Sequence, residues 1–97
     1  MLFQSAMQRL ANSNPRIKEA NDIQAVNLNL KFCNSMPTYK DAEKMYLATF
    51  DQAKKDLGDL CKAPELLIEM SVFYIEYYKI NESNEYITLL RKCPKTR

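Results

Sequence analysis

The spacing of apolar and polar residues predicts helices along most of the chain. The best-defined helix covers residues 39–57, where Thr38 is placed to cap the first turn and Asp41 lies near its free N–H groups. Gly58 is a typical C-terminal stop. Positions at helical spacing along this segment are Ala42, Met45, Tyr46, Thr49, Phe50, Ala53 and Leu57.

A second helix is predicted upstream. Asn14 is a capping residue and Pro15 occupies the first helical position, where proline is tolerated. The helix should reach about Asn34, with a break or restart allowed at residues 21–22. An alternative is a strand, because Val26, Leu28, Leu30 and Phe32 alternate with polar residues. We prefer the helix because an isolated strand would have no second strand to pair with.

The most apolar predicted helix begins near Pro64 and runs through the stretch SVFYIEYYKI, residues 71–80. Its polar residues fall within about 80° of one another on a helical wheel, at Glu65, Glu69, Glu76 and Lys79. The wider arc is apolar: Leu66, Leu67, Ile68, Met70, Phe73, Tyr74, Ile75, Tyr77, Tyr78 and Ile80. Such a helix has to be covered on two sides. Within that arc, Ser71 is small enough for a close helix contact.

Shorter helices are predicted at both ends. Ser83 is placed to cap a last helix of about 84–93, which Pro94 ends. Residues 2–12 are predicted to form an amphipathic helix with Phe3, Met7 and Leu10 on one face. The expected fold is therefore all-α, with four to five antiparallel helices arranged as helix-turn-helix pairs. It is a single domain of 1–97, divided into an N-terminal helix (1–13), helical hairpins (14–93) and a basic tail (94–97).

Composition limits the chemistry that this chain can perform. It has no histidine and one glycine, so the commonest acid–base group and the glycine-rich phosphate loops are missing. Paired acids such as Glu65 and Glu69 fit a solvated helix stripe better than a carboxylate site. We expect no catalytic activity, no cofactor and no metal, and no apolar run is long enough to cross a bilayer.

The three cysteines, Cys33, Cys61 and Cys93, match no metal motif, and their number is odd. We predict unpaired thiols in a reducing, intracellular compartment. The N-terminal eighteen residues carry bases and no acid, and a mitochondrial targeting segment is the alternative interpretation of residues 1–18. A docked helix is preferred for this segment.

Charge is unevenly distributed along the chain. The net charge is +2, but residues 19–90 carry seven bases against all twelve acids. The basic residues that remain are concentrated in 1–18 and 91–97. An acidic body with basic ends disfavours nucleic acid as the main partner, because phosphate binding needs a basic groove.

The region from Pro64 onward resembles a tetratricopeptide-type repeat. Leu67, Met70, Ser71 and Tyr74 fall where that family places large, apolar, small and aromatic residues. In the second helix Ser83 falls at the small position and Ile87 at the aromatic one, and Pro94 lies one residue from the family's closing proline. The chain departs from the pattern in lacking tryptophan and in placing Leu90 at a small position. The preceding pair, VNLNLKFCNSMPTYKDAEKMYLATF, is more similar to the pentatricopeptide or other helical-repeat variants. The resemblance covers about two-thirds of the chain and implies stacked helical hairpins.

These features together favour a non-catalytic protein-interaction, assembly or adaptor domain, with another protein or a second copy as partner. The alternative is an RNA-binding helical-repeat domain, supported by the basic termini. Residues predicted to contact a partner are Ser71, Tyr74 and Tyr78, together with Phe3, Met7 and Leu10 of the N-terminal segment.

Overall fold

The computed structural model describes residues 14–94 and has four α-helices in this range. They are α1 (Pro15–Asn34), α2 (Tyr39–Leu57), α3 (Pro64–Glu76) and α4 (Ile80–Arg91), with a short 3₁₀ helix at Leu60–Lys62 between α2 and α3. The described residues contain no strand, so the all-α prediction is confirmed and residues 26–32 are helical. The predicted helix 2–12, with Phe3, Met7 and Leu10, lies outside the described residues.

The first two helices have the caps that the sequence predicts. The side-chain oxygen of Asn14 accepts a hydrogen bond from the backbone N–H of Arg16 at 3.0 Å. Thr38 Oγ1 accepts one from the N–H of Asp41 at 3.2 Å. Gly58 ends α2 with a φ of 75°, a conformation that favours glycine. Because α1 is continuous, the break considered at residues 21–22 is absent.

The turn between α3 and α4 differs from the prediction. α3 ends at Glu76, and Tyr78 adopts a φ of 59° that lets the N–H of Lys79 bond back to the Tyr74 carbonyl at 2.8 Å. This reversal starts α4 at Ile80, four residues before the predicted start. Ser83 is therefore inside the helix and is not its cap.

The buried Ser83 has a packing role instead. Its hydroxyl donates a hydrogen bond to the carbonyl of Ser71 on α3 at 2.9 Å. Two small residues thus face each other where α3 and α4 meet, which allows close approach of the helices. The expected role of Ser71 at a close helix contact is confirmed, and the contact is intramolecular.

The helices form two hairpins, α1–α2 and α3–α4, which share one core. α1 also contacts α3, and an ion pair of 2.6 Å between Lys62 and Glu19 links the connector to the first turns of α1. The core residues are Val26, Leu30, Cys33, Ala42, Tyr46, Ala53, Leu57, Ala63, Leu66, Leu67, Met70, Phe73, Tyr74 and Tyr86.

Aromatic rings join the two hairpins. The ring of Phe73 on α3 lies 5.3 Å from that of Tyr39 and 4.8 Å from that of Tyr46, both on α2. On the neighbouring side, Tyr74 stacks on Tyr86 of α4 at 5.8 Å. The prediction that Phe73, Tyr74 and Tyr77 are not all surface groups is confirmed, because Phe73 and Tyr74 are buried.

A disulfide joins Cys61, in the 3₁₀ helix, to Cys93, just beyond α4. The prediction of three unpaired thiols is therefore wrong for these two residues, and Cys33 is the free, buried cysteine of the described residues. The error arises because 32 residues separate the pair, and only the folding back of α3 and α4 brings the sulfurs together. The expectation of a reducing compartment rested on those free thiols.

Truncating Phe73 should destabilise the fold strongly. Phe73→Ala leaves a cavity among the rings of α2 and α3, and we expect a loss of about 3–5 kcal/mol in the free energy of unfolding. Val72→Ala, one position along and half exposed, is the matched control and should cost less than about 1 kcal/mol. Urea unfolding followed by circular dichroism measures both. Equal losses for the two variants would contradict the assigned burial.

Reduction of the disulfide should also lower stability. Closing a loop of this length restricts the unfolded chain, and its release should cost up to about 3–4 kcal/mol. We expect a reducing agent and the double variant Cys61→Ser/Cys93→Ser to lower the urea midpoint of the full chain by the same amount. The reducing agent should have no further effect on the double variant. An unchanged midpoint after reduction would show that the pair is not joined in solution.

Candidate protein-interaction face

One side of α3 exposes apolar side chains. Ile68, Val72 and Ile75 are 45%, 49% and 48% exposed, and their spacing places them on a single stripe. Glu65, Glu69 and Glu76 lie along one flank of this stripe, within about 60° of Val72. These six residues are called the α3 face.

A cleft of about 380 Å³ adjoins the α3 face. Ile68 and Val72 line one wall together with the two acids Glu69 and Glu76. The other wall comes from the end of α1 and from α2, and Tyr77 closes one end. The stripe and the cleft thus form one continuous surface, with apolar and acidic groups side by side. The remaining residues that line the cleft are Cys33, Asn34, Met36, Ala42, Tyr46, Phe73 and Tyr77.

A chain of hydrogen bonds fixes one acid of the face. The hydroxyl of Tyr46 donates to Asn34 Oδ1 at 2.7 Å, and Asn34 Nδ2 donates to Glu69 Oε1 at 3.0 Å. This chain links α2, α1 and α3, so the carboxylate is held by all three helices. Burial, and next the negative charge of Glu69, raise the pKa of Tyr46 to about 12. The phenol is therefore a proton donor throughout the neutral range.

The acids of the α3 face have no cationic partner among residues 14–94. The ion pairs in that range join Lys18 to Asp22 and Lys62 to Glu19, away from this face. α3 itself contains no lysine or arginine. The face is consequently electronegative beside its apolar stripe.

Two of the predicted contact residues are not accessible to a partner. Tyr74 is 2% exposed, and its hydroxyl donates to Glu43 Oε2 at 2.8 Å. Burial and that hydrogen bond raise the pKa of Tyr74. Ser71 is buried against α4, as described above. Tyr78, at 89% exposed, is the predicted contact residue that lies on the surface of the described chain.

The sequence pattern does not single out Ile68, Val72 or Ile75 as contact residues. They belong to the broad apolar arc of this helix, and the pattern alone cannot show which part of that arc other helices cover. The sequence does indicate that the hairpin partner leaves part of the apolar arc uncovered, because the arc is wider than one hairpin partner can cover.

A second apolar pair lies on α1. Leu28 and Phe32 are half exposed, on the side of α1 opposite its buried residues Val26 and Leu30. Neither residue lines the cleft beside α3, and the acids of α1, Glu19 and Asp22, lie more than one turn before this pair along the helix. It is therefore kept apart from the α3 face.

The described residues offer no other candidate chemistry. Between residues 14 and 94 no three acidic or cysteine side chains come together in a way that could hold a metal. No helix in that range is long and apolar enough to cross a membrane. Burial raises the pKa of the Cys33 thiol, which lies 3.9 Å from Thr49 Oγ1, so the reactive thiolate form is disfavoured.

Searches against models of known protein families, against curated proteins and against solved structures find no match for this chain. The geometry of the α3 face is therefore the basis of the function proposed below.

The raised pKa of Tyr46 predicts a loss of stability at high pH. The protonated phenol is favoured in the folded state, so its contribution is complete below about pH 10 and is lost as the pH rises toward about 12. We expect the free energy of unfolding to fall over this window. For the variant Tyr46→Phe it should fall less steeply, because the phenylalanine ring cannot ionise. Urea unfolding at pH 7 to 11.5 measures the two slopes.

Asn34→Ala is the matched control for the same experiment. It removes the hydrogen-bond acceptor and should cost about 0.5–1.5 kcal/mol at pH 7, while the steep alkaline loss persists. If Tyr46→Phe kept the full alkaline slope, the ionising group responsible would be a different one.

Proposed function

We propose that this protein is a non-catalytic interaction domain that binds a partner protein through the α3 face. The observation that carries the proposal is the exposure of Ile68, Val72 and Ile75 as one stripe beside a cleft. Scattered exposed apolar residues are normal, but a contiguous group next to a concave surface is typical of protein-binding sites.

The stripe also shares features with an interaction centre, since its three apolar side chains are bordered by acids along one flank. Apolar side chains at the middle of a face, with polar groups around them, exclude water on binding and contribute most of the affinity. Tyr77 and Tyr78 at the end of α3 extend the exposed surface with aromatic rings, which are enriched at interfaces. The helical-hairpin arrangement supports this role, because stacked hairpins commonly present one helix of each pair to a ligand.

The RNA-binding alternative is less well supported. The α3 face has three acids and no base, and a phosphate backbone would be repelled there. The basic residues that favour RNA lie in residues 1–18 and 91–97, and three of the seven, Arg9, Lys95 and Arg97, are outside residues 14–94.

A crosslinking experiment tests the proposed face. A photoreactive phenylalanine analogue at position 72 of the full chain should form adducts with a protein in the native cell. The same analogue at Asn84, exposed on α4, is the control and should not form that adduct. Ile75→Ser should abolish the adduct at position 72, because it removes part of the stripe without touching the core.

Two results would contradict the proposal. One is that neither position 72 nor position 84 forms an adduct with a protein. The other is an adduct at position 72 that disappears on treatment with ribonuclease, which would favour the RNA-binding alternative.

A further inference from the structure

We infer that the segment bound by the α3 face is a basic amphipathic helix of another protein, an inference that rests on the function proposed above. Its apolar side packs on Ile68, Val72 and Ile75, and its lysine or arginine residues lie against Glu69 and Glu76. This assigns both the shape and the charge of the ligand.

The helical shape of the ligand follows from the apolar stripe on α3. Residues at these spacings form a ridge about 10 Å long on a helix surface. A second helix fits such a ridge by placing its own side chains between those of α3, at an axis distance of about 8–10 Å. A segment that binds by strand addition would need a free sheet edge for its backbone hydrogen bonds, and residues 14–94 provide no strand.

The charge of the ligand follows from the acids on one flank of the stripe. Glu65, Glu69 and Glu76 all lie on one side of the stripe and have no cationic partner among the described residues. Glu69 is held in place through Oε1 by Asn34, so it is already positioned when a ligand arrives. A helix with lysine or arginine along one edge neutralises these acids, whereas an acidic helix is repelled.

A second copy of this chain does not fit the same face. Two identical faces related by a two-fold axis place the acids of both copies in an interface to which α3 contributes no lysine or arginine, whether the two helices run parallel or antiparallel. That arrangement removes carboxylates from water without providing partners for them, which is costly. Another protein is therefore a better occupant than a second copy.

Two synthetic peptides distinguish these alternatives with the full chain. Both have 18 residues and the same leucine stripe at helical spacing; one has lysine along one flank and the other has glutamate at the same positions. We expect fluorescence anisotropy to show that the lysine peptide binds about tenfold or more tightly, and that added salt reduces this difference. Val72→Ser should weaken binding of the lysine peptide.

Matched charge variants locate the effect. Glu69→Gln/Glu76→Gln should weaken binding of the lysine peptide by about three- to tenfold. Asp51→Asn/Glu85→Gln makes the same change in net charge on exposed positions of α2 and α4, and should leave the affinity unchanged. Equal effects of the two double variants would show nonspecific attraction and overturn the inference.

The remaining outcomes separate this inference from the proposed function. If the two peptides bind equally well and Val72→Ser weakens the binding of both, the assignment of a basic ligand is wrong. The proposed interaction face would still be supported. Failure of both peptides to bind would overturn the helical ligand, while the adduct at position 72 would still test the face independently. A dimer in light scattering that Val72→Ser abolishes would make a second copy the occupant.

Discussion

The contact between Phe73 and the rings of α2 is the interaction on which the rest of the structure depends. Each hairpin is held together along its own length, but an isolated helical pair of this size has little core. Tyr39 and Tyr46 bring the first hairpin onto Phe73, and the neighbouring Tyr74 carries the contact on to Tyr86 of α4. Aromatic rings suit this junction because each buries a large area. They also bridge α2 and α3, whose backbones make few close contacts with each other.

That junction also decides what α3 leaves exposed. Phe73 and Tyr74 direct one half of the helix toward α2 and α4, so the opposite half faces outward by geometry. Ile68, Val72 and Ile75 occupy that outward half, although nothing in their chemistry distinguishes them from the buried leucines of the same helix. The α3 face is thus a consequence of a helix that is apolar on more sides than two hairpins can cover.

Much of the fold could be predicted because local signals and tertiary packing agree. Thr38 and Gly58 mark the ends of α2 through bonds within a few residues of themselves. The turn after α3 could not be predicted, because a tyrosine with positive φ contradicts local preference, and the backbone hydrogen bond from the N–H of Lys79 to the carbonyl of Tyr74 forms only in the folded turn. The disulfide and the outward orientation of Val72 depend on contacts between distant residues. Candidate residues chosen as aromatics on an apolar helix therefore include the buried Tyr74, and the aliphatic stripe is not among them.

The disulfide has a consequence for the α3 face as well as for stability. Cys61 precedes α3 and Cys93 follows α4, so the bond closes the second hairpin at its open end while the turn at residues 77–79 closes the other. With both ends tied and the centre fixed by the rings, α3 has little freedom to shift against its neighbours. A ligand that packs on Ile68, Val72 and Ile75 then meets a surface that is already ordered, and less conformational entropy is lost on binding. The same contacts that make a small core sufficient for folding also make its uncovered side suitable for recognition.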